Sequence, residues 1–142
     1  MESQPASKKL DKMMRVMVVD DVDLTTKVLS ATLKEIGFRR VVRFNSALKA
    51  LMELEQEAGG KDAYKLIFSD INMPDMDGIK FLKEIRKSRL CGNIPVIMVS
   101  AQKVQETILE AVDAGASNYI IKPFSKEQLE ERISKIFFHE KL

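Results

Sequence analysis

Leu66-Ile67-Phe68-Ser69-Asp70-Ile71-Asn72-Met73-Pro74-Asp75-Met76-Asp77-Gly78 reads as an apolar run that stops at two polar residues and then breaks into a turn. The run over residues 66–68 is too apolar to be half-exposed, which fits a strand covered on both faces. Asp75 and Asp77 flank a turn with Pro74 and Gly78, so turn and capping duties are expected of both. Gly78 suits the left-handed region. A strand hidden on both faces needs parallel neighbours with helices above and below, so the pattern should repeat along the chain.

Four more short apolar runs, over residues 16–19, 41–44, 96–99 and 119–121, meet that expectation. The segments between them carry the helical period. Val28, Ala31 and Thr32 share a face in the first, and Val104, Ile108, Ala111 and Val112 in the fourth. Leu129, Ile133, Ile136 and Phe137 do so in the last. Gly37 and Gly115 follow the first and fourth helical segments, where a left-handed closing residue is favoured, and Ser125-Lys126-Glu127-Gln128 is a capping-box pattern. The stretch 58–62 leaves the length of the second connection open. Five strands each followed by a helix predict an α/β fold of (βα)5 type. Right-handed crossovers leave few orders for its doubly wound, five-stranded parallel sheet. The order 2-1-3-4-5 is expected, partly by analogy with flavodoxin-like folds.

A chain of 142 residues has material for one core, and 45% apolar with 31% charged residues is ordinary for a globular domain. Residues 1–13 mix Ser, Gln, Pro and Lys without periodicity and are expected to form a flexible extension before a domain over residues 14–142. A net charge of +2 is too small to drive nucleic-acid binding, although Lys8, Lys9, Lys12 and Arg15 make the start locally basic. Cys91 has no partner for an internal disulfide, and no stretch approaches the roughly 18–20 apolar residues of a membrane span. A cytoplasmic location without nucleic-acid or membrane partners is therefore expected.

Open sheets of this kind bind ligands beyond the carboxyl ends of their strands. Those ends carry Asp20-Asp21, Ser69-Asp70, Ser100 and Lys122-Pro123. Adjacent carboxylates resist joint ionisation unless a cation offsets them, and hard oxygen ligands in this number suit Mg2+ together with phosphate oxygens.

On these residues the sequence resembles the receiver, or response-regulator, family, and specifically its stand-alone chemotaxis members. The resemblance runs from Arg15 to the C-terminus. It rests on Asp20-Asp21, the run from Asp70 to Gly78, Ser100-Ala101, Gly115-Ala116 and Tyr119-Ile120-Ile121-Lys122-Pro123-Phe124. It implies a (βα)5 receiver domain that takes a phosphoryl group from a histidine kinase on Asp70, without being an enzyme in the usual sense. By the same resemblance Asp21, Asp70 and the backbone carbonyl of Asn72 ligate Mg2+, with Mn2+ as a substitute, and Asp20 acts through metal-bound water. Lys122, before a proline whose peptide bond is usually cis in the family, contacts the phosphoryl group. Ser100 and Tyr119 form a switch, and Asn72 and Gln102 flank the path of hydrolytic water. About four residues follow the last expected helix, so output is expected from the domain's own surface. The implied partner is a downstream protein such as a flagellar motor switch, on the face of the fourth helix, fifth strand and fifth helix. Val22, Ile71 and Ser100 depart from the aromatic, Trp and Thr more usual in the family.

Simpler duties also fit some of these residues. Asp23 is expected to cap the first helix, Tyr119 could pack in the core, and Met73, Met76 and Met98 read as packing or turn residues. His139 has no nearby acid or nucleophile. An EF-hand is excluded, because Pro74 and Phe81 stand where oxygen ligands are required. Three rival readings share parts of the pattern. Asp21-Val22-Asp23-Leu24-Thr25 spells the Asp-x-Asp-x-Thr opening of haloacid-dehalogenase-like phosphatases, although the acidic ligands expected after the lysine strand are missing. A flavodoxin-like electron carrier would need a first loop that attracts phosphate, which Asp20 and Asp23 would repel. The third is a phosphorylation-independent scaffold that keeps the fold alone.

Overall fold

A computed structural model describes residues 10–138. In chain order its elements are β1 (Arg15–Val19), α1 (Asp23–Ile36), β2 (Arg40–Phe44), α2 (Ala47–Glu57), β3 (Tyr64–Ser69), α3 (Gly78–Lys87), β4 (Val96–Ser100), α4 (Gln105–Asp113), β5 (Asn118–Ile121) and α5 (Lys126–Phe138). All strand pairs are parallel and the order is β2-β1-β3-β4-β5, as expected.

The alternation of side chains along each strand divides the core into two layers. Met17, Val19, Ile67 and Met98 face Ala50 and Leu54 of α2, Leu82 and Ile85 of α3, and Ala111 of α4. Val16, Val18, Phe68 and Ile97 face Leu29 and Leu33 of α1 and Leu129 and Ile133 of α5. Each such side chain hidden from water contributes about 1.5–3 kcal/mol, so the three central strands are fixed by burial on both faces. Gly37 and Gly115 close α1 and α4 at φ of 125° and 109°. Ser125 and Gln128 form the expected capping box, with the Ser125 amide donating to Gln128 Oε1 at 2.9 Å and the Gln128 amide to Ser125 Oγ at 3.1 Å.

Two helical faces differ from expectation. In α1 the buried residues are Thr26, Leu29, Ser30 and Leu33, whereas Val28 is 50% exposed and Ala31 also faces solvent. Thr26 can turn inward because its hydroxyl donates to the Asp23 carbonyl at 2.8 Å, so two polar residue types hide on a face that apolar periodicity places elsewhere. In α4 only Ala111 is fully buried, and Val104 and Val112 are 50% and 51% exposed. Nor is Gly78 left-handed. It opens α3, and a Cβ there would collide with the Asp70 carbonyl oxygen and lie 2.7 Å from Ile71 Cα. The need is for close backbone approach, with the Gly78 amide donating to the Ile71 carbonyl at 2.6 Å.

Arg86, near the end of α3, donates to the carbonyls of Gly92, Ile94 and Gly115 at 2.7–3.0 Å, tying that helix to the segments before β4 and β5. Of the extension expected over residues 1–13, residues 1–9 lie outside the described residues, as does His139. Lys12 is engaged with the domain, its Nζ donating to the Ile36 carbonyl at 3.0 Å at the end of α1. Among the described residues no helix is long and apolar enough to cross a membrane.

Candidate functional site

β1 and β3 are neighbours in a register that pairs Val19 with Ser69, so the next residues, Asp20 and Asp70, emerge side by side beyond the sheet. Both backbones are held there, the Asp20 amide donating to the Phe44 carbonyl at 3.1 Å and the Asp70 amide to the Val19 carbonyl at 3.0 Å. Asp21 faces solvent beside them, and one carboxylate oxygen from each of Asp20, Asp21 and Asp70 lies within 4.8 Å of the others. From the far side comes Lys122, whose amide donates to the Ser100 carbonyl at 2.9 Å and whose bond to Pro123 is cis. Its Nζ donates to Asp20 Oδ2 at 3.0 Å and stands 3.8 Å from Asp70 Oδ1.

One ammonium against three carboxylates leaves negative charge uncompensated. Asp70 carries the consequence: burial, and then the charge of Asp20, push its carboxyl above the ordinary carboxylate range, although Lys122 and the Ile71 amide oppose them. A divalent cation answers that imbalance. An all-oxygen donor set of this kind suits Mg2+, which binds through one or two carboxylates and keeps several waters. The carboxylates therefore fit a hard divalent cation, with open positions for water or phosphate.

Ser100, 1% exposed, accepts a hydrogen bond from the Gln102 amide at 3.1 Å through its hydroxyl. The Tyr119 hydroxyl donates to the Gln102 carbonyl at 3.0 Å and lies within hydrogen-bonding reach of Ser100. Burial raises the Tyr119 phenol above its ordinary value; the Ser100 bond opposes this and the negative charge of Asp70 adds to it. Tyr119 is thus folded onto the β4–α4 connection. Asn72 is exposed on the loop that follows Asp70.

Asp23 departs from the expected cap. α1 has no side-chain cap, and Asp23 instead pairs with Lys27 at 3.1 Å and Arg43 at 3.3 Å. It is Asp20 Oδ1 that orders the entry to α1, accepting from the Val22 amide at 2.9 Å. With Asp23 engaged by Arg43 and Lys27, the Asp-x-Asp-x-Thr arrangement of a phosphatase does not assemble at the cluster.

Residues 16–134 match the response regulator receiver domain. The chain is 35% identical to chemotaxis protein CheY-3 of Vibrio cholerae over 128 residues, covering 90% of this chain and 95% of that protein. It is 33% identical to the chemotaxis protein CheY of Pseudomonas aeruginosa over 124 residues, 87% of this chain and 96% of the relative. The solved structure of chemotaxis protein CheY4 of Vibrio cholerae superposes with a TM-score of 0.77 at 29% identity, covering 87% of this chain and 98% of that one.

Proposed function

Because the chain belongs to the response regulator receiver domain family of two-component signalling, we propose that it accepts a phosphoryl group on Asp70 from a phosphohistidine donor. The observation that carries this reading is the buried Asp70 carboxylate set between two further aspartates and the Lys122 ammonium. Asp70 oxygen attacks phosphorus as the phosphorus–nitrogen bond to the donor imidazole breaks, and the imidazole leaves with the electron pair. Lys122 sits where it can stabilise oxygens that gain charge during transfer. Asp21, Asp70 and the Asn72 carbonyl would hold Mg2+ or Mn2+ directly, with Asp20 linked through water. The bound ion supplies positive charge against the approaching phosphoryl oxygens. Val22, Leu24 and Val28, 50–69% exposed, leave an apolar patch next to this rim on which a histidine kinase can seat. Asn72 and Gln102 are assigned to steering the water that later hydrolyses the acyl phosphate.

Mg2+ is expected to stabilise the folded chain. At ten times its dissociation constant the gain is about 1.4 kcal/mol, or roughly 3–5 °C in Tm. The pH dependence of the metal-free protein has a definite sign. With its folded-state pKa raised, Asp70 keeps a proton at pH values where the unfolded chain has lost it. The stability contributed by this group therefore falls as pH rises from the ordinary carboxylate range through the raised value. Thermal melts of wild type and Asp70→Asn across that range check this. Mg2+ should raise wild-type Tm at neutral pH, and the metal-free variant should lack the loss. A wild-type Tm indifferent to Mg2+ would contradict the cation site.

Output is assigned to the face of α4, β5 and α5, where Val104 at the start of α4 and Leu109 and Val112 within it are half-exposed and available to a protein target. The curated relatives are chemotaxis proteins, which supports a flagellar motor switch as that target and the cytoplasm as its place. A phosphoryl oxygen on Asp70 would accept from the Ser100 O–H and draw that side chain toward itself, away from the Gln102 amide from which its oxygen now accepts, and the Gln102 carbonyl holds Tyr119. Coupling of this kind is typically worth about 5–150-fold in a linked equilibrium. Hydrogen exchange over residues 101–119, with and without beryllofluoride, should therefore change in wild type. Ser100→Ala and Tyr119→Phe should bind beryllofluoride with little change there, and a wild-type response in both would refute this relay.

A further inference from the structure

The loop from Asp70 to Gly78 is pinned at its base by backbone bonds from Asp70 to Val19 and from Gly78 to Ile71, at 3.0 and 2.6 Å. Ile71 and Met73 turn inward, 4% and 7% exposed, and Asp77 accepts from the Ile79 amide at 2.7 Å as α3 begins. The outer arm, with Asn72, Pro74 and Asp75, is exposed. Turn duty was the expectation for Asp75, yet its carboxylate leaves the turn. Oδ2 accepts from the Ser46 hydroxyl at 2.7 Å and from the Leu48 amide at 3.0 Å, at the N-terminus of α2. That helix has no acidic residue in its own first turn, so Asp75 supplies from another element the negative charge its N-terminus favours. Burial opposes ionisation of Asp75, but the Leu48 amide and the Ser46 hydroxyl together hold its carboxyl below the ordinary carboxylate range.

We propose that Asp75 is a positioning residue for the acceptor site: by fastening the loop to α2 it keeps the Asn72 backbone carbonyl beside Asp70. Three residues of chain reach at most about 10–11 Å, so anchoring Asp75 limits where Asn72 can go. α2 thereby becomes part of the site's frame without touching any reacting atom. This inference rests on the reading of Asp70 as acceptor and of the Asn72 carbonyl as a cation ligand.

The test compares full-length wild type, Asp75→Ala, Asp75→Asn and Ser46→Ala by Mg2+ calorimetry, thermal melting and amide exchange over residues 71–77. Asp75→Ala should weaken Mg2+ binding by about 10-fold, the low end for loss of a group that orients a ligand, and speed exchange in the loop. Asp75→Asn, whose amide oxygen can still accept from Leu48 and Ser46, should restore both to near wild type. Ser46→Ala removes the helix cap, whose Oγ accepts from the Lys49 amide at 3.2 Å, together with one of the two bonds to Asp75, so it should lower Tm and weaken Mg2+ binding by less than Asp75→Ala, since the Leu48 amide still holds the carboxylate. A lowered Tm in Asp75→Ala with unaltered Mg2+ affinity would reduce Asp75 to a cap and overturn the proposal. So would an Asp75→Asn as weak as the alanine variant, which would mean that charge alone acts. Failure of wild type to bind Mg2+ would instead strike the acceptor reading beneath it, and take this inference with it.

Discussion

Asp70→Asn is expected to abolish incorporation of phosphoryl from acetyl phosphate, while leaving the fold intact. The carboxamide keeps the size of the carboxylate, but its oxygen is a far weaker nucleophile and brings no negative charge into the cluster. Asp70 is only 9% exposed and its Oδ1 stands 3.8 Å from Lys122 Nζ. Asp20 is engaged by Lys122 and the Val22 amide, and Asp21 lies on the outer side of the cluster. Fold integrity is checked by the Tm of the variant, which should equal or exceed wild type without metal, because repulsion with Asp20 is gone. Residual labelling near the wild-type rate would move the acceptor to another residue.

Lys122→Ala is expected to slow transfer by about 10²–10³-fold, the usual cost of removing a donor aimed at developing charge. The ammonium is 3.0 Å from Asp20 and 3.8 Å from Asp70, so it serves two carboxylates before any phosphoryl group arrives. Its loss makes the cluster more negative, and Mg2+ affinity should hold or rise even as transfer falls. That opposition separates a chemical role from simple damage to the site, which would lower both. Single-turnover labelling and Mg2+ titration on the same preparation provide the comparison. Lys122→Arg should recover part of the rate at most, since a planar guanidinium does not occupy the position of a compact ammonium between two carboxylates.

The site was legible because its chemistry sits where strand periodicity stops. Asp20, Asp21, Asp70, Ser100 and Lys122 each follow or end a short apolar run, and parallel strands bring such ends to one rim. Strand positions lie within two residues of expectation at each end, and in the three central strands this is because burial on both faces leaves an unbroken apolar signature. Helix faces were less legible. Thr26 and Ser30 are polar by type yet buried in α1, so counting apolar residues misplaces that face, whereas in α4 it finds the buried Ala111 and the half-buried Ile108 but adds Val104 and Val112, which are exposed. Gly78 was recognised as special for the wrong reason, since a collision with the Asp70 carbonyl depends on how α3 returns across its own loop. The bonds of Asp75 to α2 and of Arg86 to Gly115 each join residues 27–29 positions apart, and no local pattern announces them.

An acyl phosphate is expected to form on Asp70, and its formation to need a divalent cation. Full-length protein incubated with acetyl phosphate in Mg2+, then reduced with borohydride and mapped by peptide mass spectrometry, tests it directly. One modified residue is expected, Asp70, converted to homoserine, with no conversion in EDTA and recovery on adding Mn2+. Modification that persists in EDTA, or a phosphoryl group found on a serine, threonine, tyrosine or a different aspartate, would contradict it.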